Sequence, residues 1–517
     1  MFHKSFIVPF LILGALLFPS LKASALDFDN SIMVGTADLE IQFNGSPAAT
    51  VPSGLEVRLI MPYIFDNAFD NVTYDLKNDG NNCFRMAVPL ETKQSIAGMI
   101  VRNPENEMAI SLGYIELDQN KPLRITGTFI TPDSIDYRTN NPTGFNTIPM
   151  GHYNNTTQAV ESMFINFCNF MYSDGFKDAP LPTAEDYKQN SVKQKLPELF
   201  NYMSEYTKKG VPVPDFAKAW IDNCMRYNFA GQWVLPYQRQ ARISGYTDSL
   251  PTPPLDYYSS LNDIDYSNIL LSRPGVIGVY PFLKNMIKYL PVGIQPIGES
   301  SVSEWQKDLK QRISPVITKP TDLLLDLLSA SSYIMQIEDD NKPLSATQVA
   351  NIKAGYHDSD LDKIILKKND NLIKQLKQAL HVYDYSDSTS FDIDSFIATN
   401  FPGKPVVVDF WNTWCGPCMN AHSEVAPIKD MPVADNVVFL YICDSSSDMA
   451  DFSKHAPKIG GHHVRLSEQA AKALYEKIQL NAFPTYLFLN GKHELIQREV
   501  SFPGQAEYIS ILEKIKQ

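Results

Sequence analysis

The stretch DFWNTWCGPCMN, residues 409–420, decides the reading of the last quarter of this chain. Two cysteines, Cys415 and Cys418, are separated only by Gly416 and Pro417. That spacing serves either half of a zinc site or a dithiol that cycles with its disulfide. A zinc site needs a second CxxC or a His pair at ligand spacing, and none accompanies this one. His462 and His463 are adjacent and read as solvated. Redox chemistry is therefore the reading of the pair, with no metal and no cofactor beyond the disulfide itself.

The segments around the pair alternate strand and helix. PVVVDFW (405–411) has the apolar run of a buried strand, and a helix follows the cysteines to about Lys429. NVVFLYICD reads as a second strand and SEQAAKALYEKI (467–478) as a helix. TYLFL and HELIQREV read as strands joined at Asn490-Gly491, and GQAEYISILEKIKQ closes as an amphipathic helix. This order predicts a small α/β sheet covered on both faces.

VVVDFWNTWCGPC resembles the thioredoxin superfamily. So do the Asp six residues before the first Cys, FPGKP upstream, Phe483-Pro484-Thr485 before a later strand, and the Asn-Gly hairpin. The resemblance covers about residues 389–517 and is closest to exported TlpA-like thiol-disulfide oxidoreductases. Large Bacteroidetes-type members similarly place β-rich and helical regions ahead of the redox domain. One departure stands out: thioredoxins usually carry a helix-kinking proline five residues after the second Cys, where this chain has Ser423, its proline coming at Pro427.

The resemblance implies roles. Cys415 is expected at a helix N-terminus, where unpaired N–H groups and the helix dipole favour a thiolate nucleophile. Cys418, one turn deeper, is the expected resolving thiol. Asp409 reads either as an edge residue or as a buried acid that accepts the Cys418 proton, the second being preferred because buried acids need a partner or a task. Phe483-Pro484 resembles the cis-proline turn that offers a backbone edge to an extended substrate, against an ordinary trans proline entering a strand. Trp414, Gly416, Pro417, Phe483 and Pro484 form the expected substrate-binding set. Trp411 reads as packing and Trp414 also as a shield for the pair; His422, on the same helix face as Cys418, reads either as tuning the Cys418 pKa or, preferred, as a surface residue, and Glu424 as a surface residue.

Outward from this segment the chain changes character twice. Residues 1–25 carry Lys4, an apolar run from Phe6 to Phe18 and Ala23-Ser24-Ala25, the pattern of a cleavable signal peptide, with an uncleaved anchor as the other reading. The expected location is the periplasm or cell envelope. Residues 26–150 alternate with period two: Leu39, Ile41 and Phe43; Leu55, Val57 and Leu59; Leu123, Ile125 and Phe129. Asn78-Asp79-Gly80 reads as a hairpin turn, and the whole as an antiparallel, sandwich-like β-domain. Residues 151–385 shift to helical spacing, clearest in 322–337 and 361–380. YDYSDSTS (383–390) reads as a linker, and residues 386–517 as the thioredoxin-like domain.

A chain of 517 residues supports about three domains, and 44% hydrophobic residues fill their cores. A net charge of -13 argues against nucleic acid. Six cysteines are too few for a disulfide-stapled scaffold. Cys83, Cys168, Cys224 and Cys443 read as small buried hydrophobes, a Cys168–Cys224 bridge being left open.

The function expected is a thiol-disulfide oxidoreductase that reduces exported proteins and is recharged by a membrane thiol donor. The second reading is an envelope binding or assembly protein in which this domain is accessory.

Overall fold

The computed structural model describes residues 28–66, 72–103, 109–147, 158–159, 162–163, 213–236, 253–271, 278–377 and 380–516. The expected signal peptide and Cys168 lie outside the described residues. None of the described helices is long and apolar enough to cross a membrane. The chain divides into two compact units, Met1–Met335 with Ser345–Ile365, and Gln336–Leu344 with Leu366–Gln517.

The first unit begins with eight strands: β1 (Ile32–Asn44), β2 (Glu56–Met61), β3 (Val72–Leu76), β4 (Cys83–Thr92), β5 (Gln94–Arg102), β6 (Ala109–Asp118), β7 (Leu123–Thr131) and β8 (Ser134–Thr139). They form two four-stranded sheets, ordered β4-β1-β7-β8 and β3-β2-β5-β6. The period-two residues Leu39, Ile41, Phe43, Val57, Leu59, Leu123, Ile125 and Phe129 fill one core shared by both sheets.

Two features depart from the sequence-based expectation. β1 and β7 run parallel, with Leu39 opposite Leu123, so the sheets are not wholly antiparallel. Asn78-Asp79-Gly80 does turn the chain, with the Asp79 amide donating to the Cys83 carbonyl at 2.7 Å. Yet β3 pairs with β2 while β4 pairs with β1, so the turn hands the chain from one sheet to the other. The long ladder from Ile32–Thr92 to Gln42–Cys83 outweighs what a short hairpin offers.

Helices complete this unit: α1 (Asp215–Phe229), α2 (Val279–Tyr289), α3 (Val302–Ile313), α4 (Asp322–Glu338), α5 (Ala346–Gly355) and α6 (Leu361–Lys377), the last two thirds of α6 and the end of α4 being counted with the second unit. Leu324, Leu327, Leu328, Ser331 and Ile334 are all buried, as the spacing in α4 predicts. Ser301 caps α3 through the Glu304 amide, and Ser345 with Gln348 forms a reciprocal capping box on α5. The Cys224 thiol sits in the core and donates to the Leu271 carbonyl at 3.2 Å.

The second unit holds β9 (Leu380–Tyr385), α7 (Ile393–Asn400), β10 (Val406–Phe410), α8 (Gly416–Lys429), β11 (Val438–Asp444), α9 (Met449–Ile459), β12 (Gly461–Leu466), α10 (Glu468–Lys477), β13 (Thr485–Leu489), β14 (Leu495–Val500) and α11 (Gln505–Ile515). Its six-stranded sheet is ordered β14-β13-β10-β11-β12-β9. β10, β11, β12 and β9 are parallel; β13 and β14 are antiparallel additions. One face packs α7 and α10, the other α8 and α11.

The expected linker is therefore partly strand. Tyr383 and Tyr385 pack on the core from β9, whose register pairs Leu380 with Gly461 and Tyr385 with Leu466. Helix α6 is described over Leu361–Lys377, and Leu380, the last residue of the expected helix, instead opens β9. Helix α8 is continuous despite Pro427 near its end, and at the kink position Ser423 Oγ donates to the Met419 carbonyl at 3.4 Å. A hydroxyl bonded back one turn takes the place where relatives have a ring.

Candidate active site

Every residue of β10 is buried, and the strand lies between β11 and β13 at the middle of the sheet. Its C-terminal end delivers Trp411-Asn412-Thr413-Trp414 to the start of α8. Cys415 is the N-cap of that helix: its Sγ accepts from the Cys418 amide at 3.2 Å. Cys415 and Cys418 are joined as a disulfide with Cα atoms 5.3 Å apart. Cys415 is 4% exposed and Cys418 fully buried. The outer sulfur is thus the one solvent and substrate reach first, and it is the one at the positive end of the helix.

The remaining expected residues group around this pair. Phe483–Pro484 is a cis peptide bond, placed just before β13. Pro484 is buried, while Trp414, Gly416 and Pro417 are exposed and Phe483 half-buried. The Trp414 and Phe483 rings meet edge to face at 5.7 Å, and Trp414 Nε1 donates to Ser446 Oγ at 2.8 Å. Trp414, 59% exposed, lies beside the pair as a rim instead of covering it. Trp411 is fully buried and packs with Cys415 and Cys418.

Asp409 is buried, and its partner corrects the sequence-based reading. His422, expected at the surface, is also buried, and its Nε2 lies 3.1 Å from Asp409 Oδ2. The physical reason is that α8 lies over the sheet, so the helix face carrying Cys418 and His422 points at β10. Asp409 Oδ1 and His422 Nδ1 have no hydrogen-bond partner among the described residues.

His462 and His463 also depart from the solvated reading, because β12 is an interior strand between β11 and β9. His463 is fully buried, stacks on Tyr441 at 4.9 Å, and is hydrogen-bonded through Nε2 to the Gly460 carbonyl at 3.0 Å. Burial holds it neutral by pushing its pKa down to about 3. His462 is half-buried, stacked on His381 at 4.6 Å.

Two groups that sequence reasoning missed complete the surroundings. Lys429, at the end of α8, donates to the Ile459 carbonyl at 2.7 Å and lies over the Tyr441 ring. Burial pushes its pKa down to about 7, with the Asp409 charge opposing. Asn412 is fully buried and ties the active-site loop to the end of β11. Its amide donates to Asp444 Oδ2 at 3.2 Å, and its Oδ1 accepts from the Asp444 amide at 3.2 Å and Ser447 Oγ at 2.7 Å. Tyr475 donates to the same Asp444 oxygen at 2.9 Å. An Asn just after a strand is a recognisable turn signal, but nothing in the sequence names its partners.

Among the described residues no group of three His, Cys, Asp or Glu side chains is placed to hold a metal. Cys443, packed in the same cluster as the disulfide, has its thiol pKa pushed up to about 12 by burial. It is a poor nucleophile at neutral pH.

Known proteins place this segment. The family model described as a thioredoxin-like domain matches residues 395–516. The chain is 33% identical over 64 residues to a thioredoxin of Coprinus comatus, covering 12% of this chain and 60% of that protein, under two thirds of its length. It is 30% identical over 100 residues to a thioredoxin of Malassezia sympodialis, covering 19% of this chain and 72% of that protein. Among solved structures it matches a thiol:disulfide interchange protein of the thioredoxin family from Chlorobium tepidum TLS. That match has 16% identity and TM-score 0.21, and covers 23% of this chain and 83% of that one. StoA from Bacillus subtilis matches at 18% identity and TM-score 0.19, covering 22% and 85%. Through its C-terminal domain the chain belongs to the thioredoxin family.

Proposed function

We propose that this protein is a TlpA-like thiol-disulfide oxidoreductase of the cell envelope that reduces disulfides of exported proteins. The observation that carries the reading is the Cys415–Cys418 disulfide with Cys415 as the N-cap of α8. In the reduced enzyme the Cys415 thiolate attacks one sulfur of a substrate disulfide. A Cys415–substrate disulfide forms and the first substrate thiolate leaves. Cys418, having lost its proton, then attacks the Cys415 sulfur; the mixed disulfide breaks, the second substrate thiolate leaves, and the enzyme pair is oxidised. Two electrons pass to the substrate, and a membrane thiol donor is the class of partner that returns them.

Trp414, Gly416, Pro417 and Phe483 are the surface a substrate strand meets, with Pro484 behind them. Asp409 is the buried acid that takes part in accepting the Cys418 proton. The Gly-Pro dipeptide between the cysteines favours the reducing direction. Export rests on the leader pattern of residues 1–25.

The test is direct. Cys415→Ser is expected to abolish insulin reduction, and Cys418→Ser to trap a mixed disulfide with envelope proteins. A reduction potential of about -270 mV supports a reductant, whereas about -120 mV would make this protein an oxidant and overturn the direction.

A further inference from the structure

We infer that the proton released by Cys418 is held by a buried Asp409–His422 pair, with His422 as a positioning and proton-sharing residue, instead of by the carboxylate alone. The inference rests on the dithiol-exchange function proposed above and deepens it.

His422 is four residues after Cys418 on α8, so the two side chains lie one turn apart on the buried face of the helix. His422 Nε2 contacts Asp409 Oδ2 at 3.1 Å, and both side chains are shielded from water. With a proton on Nε2 directed at the carboxylate, Nδ1 is left as an imidazole lone pair, and no described residue occupies it. This is the arrangement in which a carboxylate fixes the tautomer of a histidine base. The pair then starts as neutral imidazole and carboxylate. When Cys418 S–H loses its proton, the pair becomes imidazolium and carboxylate, an internally neutral unit that a dry pocket tolerates better than a lone charge. The Cys418 sulfur, now a thiolate, forms the bond to Cys415; the leaving substrate thiolate takes a proton from solvent, and the pair returns its own proton when the enzyme is next reduced.

The neighbours leave this role open to His422. From β11, Tyr441 faces the imidazole edge to face at 5.5 Å, and from the active-site loop Trp411 does so at 5.1 Å. Tyr441, Tyr486 of β13 and Tyr508 of α11 all feel the Asp409 charge, and burial raises each hydroxyl far out of the working range. His455 of α9 and His463 of β12 sense His422, and burial holds both low, at about 4 and about 3. Lys429 at the end of α8 is brought down to about 7 by burial, and it is the neighbour whose titration has to be told apart from this role.

The resolving step can be read alone. Reduced protein is mixed with 5,5′-dithiobis(2-nitrobenzoate); the first thionitrobenzoate reports Cys415 attack and the second reports Cys418 closing the disulfide. Between pH 5 and 9, His422→Phe is expected to slow the second release at least tenfold near pH 7 and flatten its pH profile, leaving the first release within about threefold. His422→Gln keeps a donor for Asp409 Oδ2 but has no ring nitrogen to take the Cys418 proton. It is expected to restore the thermal midpoint of the protein without restoring the second release. In the Asp409→Asn background His422→Phe is expected to add less than twofold, because the two act as one unit. The inference is overturned if His422→Gln resolves like wild type, if the two substitutions multiply, or if Lys429→Met and not His422→Phe removes the pH dependence. Absence of any Cys415-dependent release would instead sink the proposed function itself.

Discussion

Asn412→Ala removes the side chain that joins the active-site loop to the β11–α9 turn. Three hydrogen bonds go with it: one to the Asp444 carboxylate, one from the Asp444 amide and one from Ser447 Oγ. A bond to a charged group is worth about 1.5–3 kcal/mol and a neutral one about 1 kcal/mol. Asp444 keeps Tyr475, and Ser447 Oγ keeps the Thr413 amide, so neither is stranded completely. The net cost works out at about 3 kcal/mol, which speeds local opening roughly 150-fold, since about 1.4 kcal/mol is tenfold. Hydrogen exchange read by mass spectrometry on the intact chain follows it, in peptides spanning 409–420 and 438–448. Ser446→Ala is the control, because it removes only the exposed bond from Trp414 Nε1 and is expected to change exchange less than about threefold. If Asn412→Ala accelerates exchange by less than tenfold, or no more than Ser446→Ala does, then the Asn412 network does not hold the loop and the reasoning fails.

Lys429→Met is expected to stabilise the second unit by about 2 kcal/mol at pH 6, a figure discounted because Lys429 as a residue keeps part of its surface in solvent and its ammonium keeps the Ile459 carbonyl. The folded pKa lies below the unfolded one, so the wild-type penalty is full below about 7 and fades as pH rises towards 10.5; urea titrations of exchange at pH 6 and 9.5 should show the gap close. Tyr486→Phe deletes a fully buried hydroxyl that has no partner among the described residues, and is expected to stabilise by about 1 kcal/mol, with a loss of that size refuting it. Gly461→Ala is expected to cost about 2 kcal/mol in the same assay: Gly461 has φ +87°, and a Cβ there would stand 3.0 Å from the Phe439 carbonyl oxygen. An unchanged β12 exchange rate would show that the turn relaxes without strain.

The legible parts of this fold are those whose residues follow one period without interruption. β10 reads as a buried strand because VVVDF is apolar apart from one acid, and α4 because its leucines recur at helical spacing. β9 and β12 were hidden for the opposite reason. LHVYDY forms the edge strand and GHHVRL the strand beside it, and His, Asp and Arg in such stretches are what a loop also shows. The burial of β12 depends on partners remote in sequence: Arg465 donates to the Ser447 carbonyl at 3.2 Å, and His463 stacks on Tyr441. The burial of His422, though not its place on the Cys418 face of the helix, was illegible on the same grounds. It is flanked by Asn420, Ser423 and Glu424, and only the sheet beneath shows which of these polar residues turns inward. Asp409 differed because a single acid in an apolar strand breaks the local rule and is conspicuous for it.

That contrast bears on what the buried polar groups do. The apolar clusters on the two faces of the sheet already supply the packing the second unit needs. Beside them, Asp409, His422, Lys429, Tyr441 and Tyr486 bring charges and hydroxyls into the protein interior, several with an atom that has no hydrogen-bond partner among the described residues. Well-packed apolar residues of similar volume would be neutral or more stable there. Departures from local consistency of this kind concentrate where a protein acts on something, and this one lies directly beneath the helix face that carries Cys418. Asp409 and His422 beneath the face that carries Cys418 are what an exchange reaction requires, because the resolving sulfur has to lose a proton inside a pocket that excludes water.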